Sequence, residues 1–155
     1  MLHTLRTRVD EIGALHSKLL LLIGPSGSGK SQRLSEFAAI NNTTVLKVGA
    51  ELGRKLAALP HKQRTLQANA LLRELASAHI TDGLLLLDNI ELLFDRSLKL
   101  DPLDILKHHA KAHRVVAVWP GEIRGGRLVY ADLGHPEYQE YNLAGVVPFE
   151  LDTMV

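Results

Sequence analysis

Two runs of leucine dominate the pattern of hydrophobic positions. Leu19–Ile23 and Leu84–Leu87 are unbroken apolar stretches, too short for most helices and without the alternation of a strand that has one wet face. Such runs predict strands buried on both faces of a parallel sheet. "RVVAVWPG" predicts another buried strand over Val115–Trp119, ended by Pro120-Gly121. "TTVLKVG" (Thr43–Gly49) is β-branched and strand-like. "GGRLVYADL" predicts a strand on a more exposed part of the sheet, and Gly145–Leu151 a last short one. Helical spacing lies between them. Leu2, Leu5, Val9 and Ile12 recur at steps of three and four, and a second helix is expected from Gly29 to Ile40. "ELGRKLAAL" predicts a helix ending before Pro60, and Leu66, Leu71, Leu72 and Leu75 one face of a helix ending near His79. Asp101-Pro102 starts another, with aspartate as cap and proline in the first turn. Strands alternating with helices predict an α/β fold: three layers, a mostly parallel sheet flanked by helices, with ligands at the carboxyl ends of the strands.

Composition narrows the classes. A chain of 155 residues suits one domain spanning residues 1–155. Formal net charge is +1, so bulk charge makes no case for nucleic acid. Direct DNA contact would need local patches, for which Arg54, Lys55, Lys62, Arg64 and Lys107, Lys111, Arg114 are the candidates; solvated helix faces are the plainer reading. There is no cysteine, which excludes disulfides and cysteine-ligated zinc. The N-terminus lacks a signal-peptide core, and the apolar runs are too short to cross a bilayer. A cytoplasmic protein with no membrane contact is expected.

The chemistry sits where the first leucine run ends. Gly24-Pro25-Ser26-Gly27-Ser28-Gly29-Lys30-Ser31 satisfies G-x-x-x-x-G-K-[ST], the Walker A phosphate loop. Glycines let backbone N–H groups turn toward an anion, and the next helix offers its unpaired N–H groups. Lys30 would reach the β- and γ-phosphates of ATP, and the Ser31 hydroxyl would ligate Mg2+. In "GLLLLDNIELLF" four apolar residues precede Asp88, the Walker B pattern, so Asp88 is expected to organise the same magnesium. This makes a three-layer P-loop NTPase of the additional-strand kind, in which the Val115–Trp119 strand lies between the two Walker strands. Where many ATPases place a catalytic glutamate, this chain has Asn89. Glu91 is the substitute candidate, against a plain carboxylate at a helix start. The strand ending Trp119-Pro120 brings no clear polar sensor, and Trp119 reads as packing. Arg124 and Arg127 flank Gly-Gly and read as a hairpin turn, with an arginine finger as the sharper alternative. His109 and His113 share a helical spacing suited to zinc, without an evident carboxylate partner.

With these pieces assembled, the chain resembles BrxF, a family of small P-loop proteins of type 3 BREX phage-defence systems. The resemblance rests on "LLIGPSGSGKS", "LLLLDNIELLFDRSLKLDPL", "VVAVWPG" and "YADLGHPEYQEY", and spans nearly the whole chain. It implies an ATP-binding accessory component of a multi-protein system that restricts phage, with Gly24–Ser31 on nucleotide and Asp88 on magnesium. It gives no role to the segment Gly134–Tyr141, whose Tyr138 and Tyr141, with Tyr130, would serve a partner surface or pack against the sheet edge.

The expected function is ATP binding with slow hydrolysis inside a larger defence complex, with other proteins of that complex as partners and a homo-oligomer as one assembly. The alternatives are a small-molecule kinase and a nucleotide-gated scaffold with negligible hydrolysis. No Asn-Lys-x-Asp segment supports a GTPase.

Overall fold

The computed structural model describes residues 2–25, 27–130 and 138–151. Helix α1 (Leu2–Ile12) leads to strand β1 (Leu19–Ile23), helix α2 (Lys30–Ile40), β2 (Val45–Lys47), α3 (Val48–Ala57), α4 (His61–His79) and β3 (Leu84–Asp88). Two 3-10 turns, Ile90–Phe94 and Arg96–Leu98, precede α5 (Pro102–His109) and β4 (Arg114–Val118). Then come β5 (Gly121–Arg124), β6 (Arg127–Tyr130), β7 (Gln139–Tyr141) and β8 (Val147–Glu150).

Five strands form one parallel sheet in the order β2-β3-β4-β1-β8. β1 is central and pairs Leu19 with Val115 on one side and Leu20 with Val147 on the other. β4 separates β1 from β3, so the strand that leads into the Gly24 loop and the strand that ends at Asp88 are next-but-one neighbours, the order expected from sequence. The inner strands β1, β3 and β4 are apolar but for Asp88 and Arg114 at their ends, because both faces are covered. Leu20, Leu22, Leu86 and Val116 pack beneath α1 and α2, with Leu5, Val9, Leu34 and Phe37. Leu19, Leu21, Leu85 and Val115 face the opposite layer of α3, α4 and α5, with Leu52, Leu72 and Leu106. Each buried leucine contributes roughly 1.5–3 kcal/mol by leaving water, so the sheet is the stable frame that holds the loops at its carboxyl edge.

Three expectations need correction. The helix expected from Glu51 begins at Val48, and the second strand stops at Lys47. Asn89 causes this: its main-chain carbonyl accepts from Gly49 N at 2.8 Å and its side-chain Oδ1 from Ala50 N at 3.1 Å, satisfying the helix start. Leu66 does not belong to the buried face of α4; it is 79% exposed, and the core face is Ala68, Leu72, Leu75 and Ala76. Leu66 and Ala68 differ by two positions, about 200° around the helix, so they point to opposite sides. The "GGRLVYADL" strand is not part of the main sheet. β5, β6 and β7 form a separate antiparallel sheet. Gly125 and Gly126 have φ of 59° and 77°, which permits a two-residue hairpin that folds β6 straight back on β5. The chain returns to the main sheet only with β8. Residues 131–137, most of "YADLGHPEYQEY", lie outside the described residues, as does Ser26 of the phosphate-loop motif.

Candidate functional site

The site grows from the carboxyl end of β1. Gly24 leaves the strand under tight constraint: a Cβ there would lie 2.4 Å from the Leu151 carbonyl oxygen and 2.8 Å from Ser28 Oγ. Leu151 is fixed by its N–H to the Ile23 carbonyl at 2.7 Å. The Pro25 carbonyl accepts from Ser28 N at 3.0 Å. Gly27 and Gly29 take φ of 82° and 87°, and a Cβ on either would meet nothing within 4 Å. Both glycines therefore hold left-handed backbone with open space beside them, and α2 starts directly after Gly29. Among the described residues no side chain caps that helix start, so its leading N–H groups face the loop. Ser28 is 2% exposed, and its Oγ is a buried oxygen without a hydrogen-bond partner among the described residues.

Lys30 reaches back across the loop. Its Nζ donates to the Gly24 and Trp119 carbonyls, each at 2.8 Å. Burial lowers its pKa below the usual lysine value; the carboxylates of Glu122, Glu91 and Asp88 oppose that shift. Lys30 is thus a partly desolvated cation held by two neutral carbonyls, ready to gain from an anion.

Asp88 closes β3 and is 5% exposed. Its Oδ1 accepts from Ser31 Oγ at 3.1 Å and from Asn89 N at 2.7 Å; its Oδ2 accepts from Lys47 Nζ at 2.9 Å. The structure thus brings Ser31 and Asp88 together. Lys47 is the partner that sequence reasoning missed. It ends β2 and stands in register with Asp88. The signal was a lysine at a strand end, meaningful only once β2 is known to neighbour β3.

Gly24, Gly27, Ser28, Gly29, Lys30, Ser31, Asp88 and Glu91 line one open cleft of about 600 Å³. Glu91 lies in the 3-10 turn after β3 and faces the cleft, whereas Asn89 is spent on the start of α3. Asn89 holds φ of 58°, which asparagine tolerates and most residues resist. The far wall is the β5–β6 hairpin, through Glu122, Arg124 and Val129. Sequence reasoning weighed Arg124 but passed over Glu122, which alternates with it in "GEIR" on the same face of β5. Arg127 pairs instead with Glu140 at 3.1 Å. Trp119 is packing: fully buried, with Nε1 donating to the Val129 carbonyl at 2.9 Å. Tyr130 stacks on Phe94 with ring centroids 3.8 Å apart, and Tyr141 meets Trp119 edge-on at 5.4 Å. These two tyrosines thus join the sheet-side packing, while Tyr138 donates to Glu140 at 2.9 Å. Of the candidate basic-patch residues, Arg54 pairs with Glu51 and Arg114 with Asp10.

The residues fit a phosphate chain with a divalent cation. The glycine cradle is open, and among the described residues no side chain caps the helix start and none pairs with the buried Ser28 hydroxyl. Among the described residues no cluster of three or more histidine, cysteine or acidic side chains could hold a metal, around His109 and His113 included. Magnesium needs no such cage, since it takes one or two protein oxygens and fills its shell with phosphate and water. Ser31 and Asp88 are a set of that kind. Among the described residues no helix is long and apolar enough to cross a membrane. No protein-family model matches the chain, and no curated protein matches it at a significant level.

Proposed function

We propose that this chain is a P-loop nucleotide-binding protein of the additional-strand type, which binds ATP with magnesium and hydrolyses it slowly. The observation that carries the reading is the convergence of Lys30 and Ser31, in the first turn of α2, on Asp88 at the end of β3, with Ser31 bonded to Asp88 at 3.1 Å. The strand order supports it: β4 stands between the β1 and β3 strands. The same order weighs against a small-molecule kinase, whose Walker strands sit side by side.

In this reading the N–H groups around Gly27–Ser31 hold the phosphates. Lys30 trades a carbonyl partner for phosphate oxygen, a stronger charge-assisted bond. Ser31 and Asp88 would hold magnesium, which when bound neutralises charge on the phosphate oxygens. Glu91 is the carboxylate assigned to water. The water oxygen attacks the terminal phosphorus, the bond to the bridging oxygen breaks, and Glu91 accepts the proton. Asn89 is no base and is tied to α3, so Glu91 must work from a position two residues removed. Turnover is therefore expected at or below about 10⁻² s⁻¹, as in P-loop switches that act without a partner. The assembly role, an accessory part of a phage-defence complex with other proteins as partners, rests on the family resemblance alone.

The test is phosphate release from ATP labelled on its terminal phosphate, with wild type and Glu91→Gln. Slow release that Glu91→Gln lowers at least tenfold supports the reading. Label transferred to a metabolite promotes the kinase. Binding without any release leaves the nucleotide-gated scaffold.

A further inference from the structure

The hairpin wall of the cleft carries charges that the phosphate loop does not need. Glu122 and Arg124 are two apart on β5, so their side chains leave the same face. That face also carries Val129 from β6, which pairs with Glu122 in register, and all three line the phosphate cleft. Arg124 donates to Glu122 Oε2 through Nε at 3.2 Å and Nη2 at 3.0 Å. Glu122 is the carboxylate with the largest effect on Lys30. One guanidinium and one carboxylate are therefore poised opposite the loop that would hold a phosphate chain.

The mount is rigid. A Cβ on Gly121 would lie 1.9 Å from the Val129 carbonyl oxygen, so β5 and β6 are pressed together where the hairpin begins. Trp119 Nε1 bonds the same carbonyl, and Gly125-Gly126 fixes the turn. Arg124 is thus displayed from a strand and not from a mobile loop, which limits where its fork can reach.

We propose that Glu122 and Arg124 form a latch that reads the terminal phosphate of the nucleotide: in the absence of a triphosphate Arg124 is held by Glu122, and a triphosphate draws its fork onto the phosphate. This deepens the ATP-binding reading above and rests on it. Two features make the exchange favourable. The side chains are 46% and 35% exposed, and a half-exposed ion pair is weakly held. A guanidinium also matches two phosphate oxygens as well as it matches a carboxylate. A diphosphate is one group shorter and gains less from Arg124, so the latch sets the preference for ATP over ADP.

The experiment measures dissociation constants for ATP and ADP, with magnesium, in wild type, Arg124→Ala and Glu122→Gln, and thermal unfolding of each. Wild type is expected to prefer ATP. Arg124→Ala is expected to weaken ATP at least tenfold and ADP less than threefold. Glu122→Gln, which weakens the hold on Arg124, is expected to keep or tighten ATP binding. Equal losses of ATP and ADP in Arg124→Ala, or an unchanged ATP-to-ADP ratio, overturn the latch while leaving the phosphate site standing. Weaker ATP binding in a folded Glu122→Gln protein also overturns it, since Glu122 would then be a ligand and not a holder. Wild type that binds neither nucleotide overturns both readings.

Discussion

Asp88→Asn separates a cation-organising carboxylate from one that merely anchors the end of a strand. The substitution keeps volume and removes charge. Asparagine Oδ1 can still accept from Asn89 N and Ser31 Oγ, which lie 2.7 and 3.1 Å from the native oxygen. What is lost is the pair with Lys47 at 2.9 Å, whose two side chains are 51% and 7% exposed. Lys47 can turn into water, so the loss is near the surface-pair value of up to about 1 kcal/mol. Removing a buried charge offsets part of this. For a chain of this size a net change of about 1 kcal/mol moves the unfolding midpoint by about 2–4 °C. The functional effect should be larger. A carboxylate that orients a metal's ligands typically changes metal affinity by about 10–100-fold when lost. Thermal unfolding by circular dichroism, paired with ATP binding across a magnesium titration, reads both. An Asp88→Asn protein whose ATP binding keeps its magnesium dependence, or whose midpoint falls by far more than the few degrees expected, would refute this role for Asp88.

Three further outcomes follow from the geometry. Asn89→Gly removes the acceptor for Ala50 N without the strain a Cβ carries at positive φ, and should cost about 1–2 kcal/mol in chemical denaturation. It should leave ATP turnover within about twofold, since the side chain serves α3; a tenfold loss would put Asn89 in the reaction. Tyr141 has its pKa pushed up to about 12, first by burial and then by Asp101 and Tyr130. Phenolate absorbance should therefore show one tyrosine titrating near 12 that Tyr141→Phe lacks. Because the unfolded phenol ionises near 10, stability tied to Tyr141 is complete below about pH 10 and declines as pH rises toward the folded value. Leu66→Gln should leave the unfolding midpoint unchanged within a degree or so, because the side chain is 79% exposed; a large fall would show that α4 buries this residue in solution.

The parallel sheet was legible because its three inner strands are leucine and valine runs with no wet face, and because Gly24–Ser31 marks a strand-to-helix turn by its own chemistry. The pairing of Ser31 with Asp88 was legible for the same reason: two motifs imply one cation. What stayed hidden depends on neighbours far apart in sequence. Lys47 meets Asp88 only because β2 lies beside β3, and no local pattern states that order. The early start of α3 depends on Asn89, 40 residues after Gly49, donating no charge but two acceptors. The β5–β7 sheet was misread because β6 carries buried residues at Leu128 and Val129, which look like a main-sheet strand. The positive φ angles of Gly125 and Gly126 fold it into a hairpin instead. Leu66 shows the converse, an apolar residue in a helical run that the fold leaves in water.

Lys30, Ser31 and Asp88 are proposed to form one magnesium-nucleotide site. Its most direct test is a calorimetric titration of ATP into wild type and Lys30→Ala, with and without magnesium. Wild type is expected to bind and to require magnesium for full affinity, and a folded Lys30→Ala protein is expected to lose binding. Equal binding by the two proteins, or none by folded wild type, would contradict it.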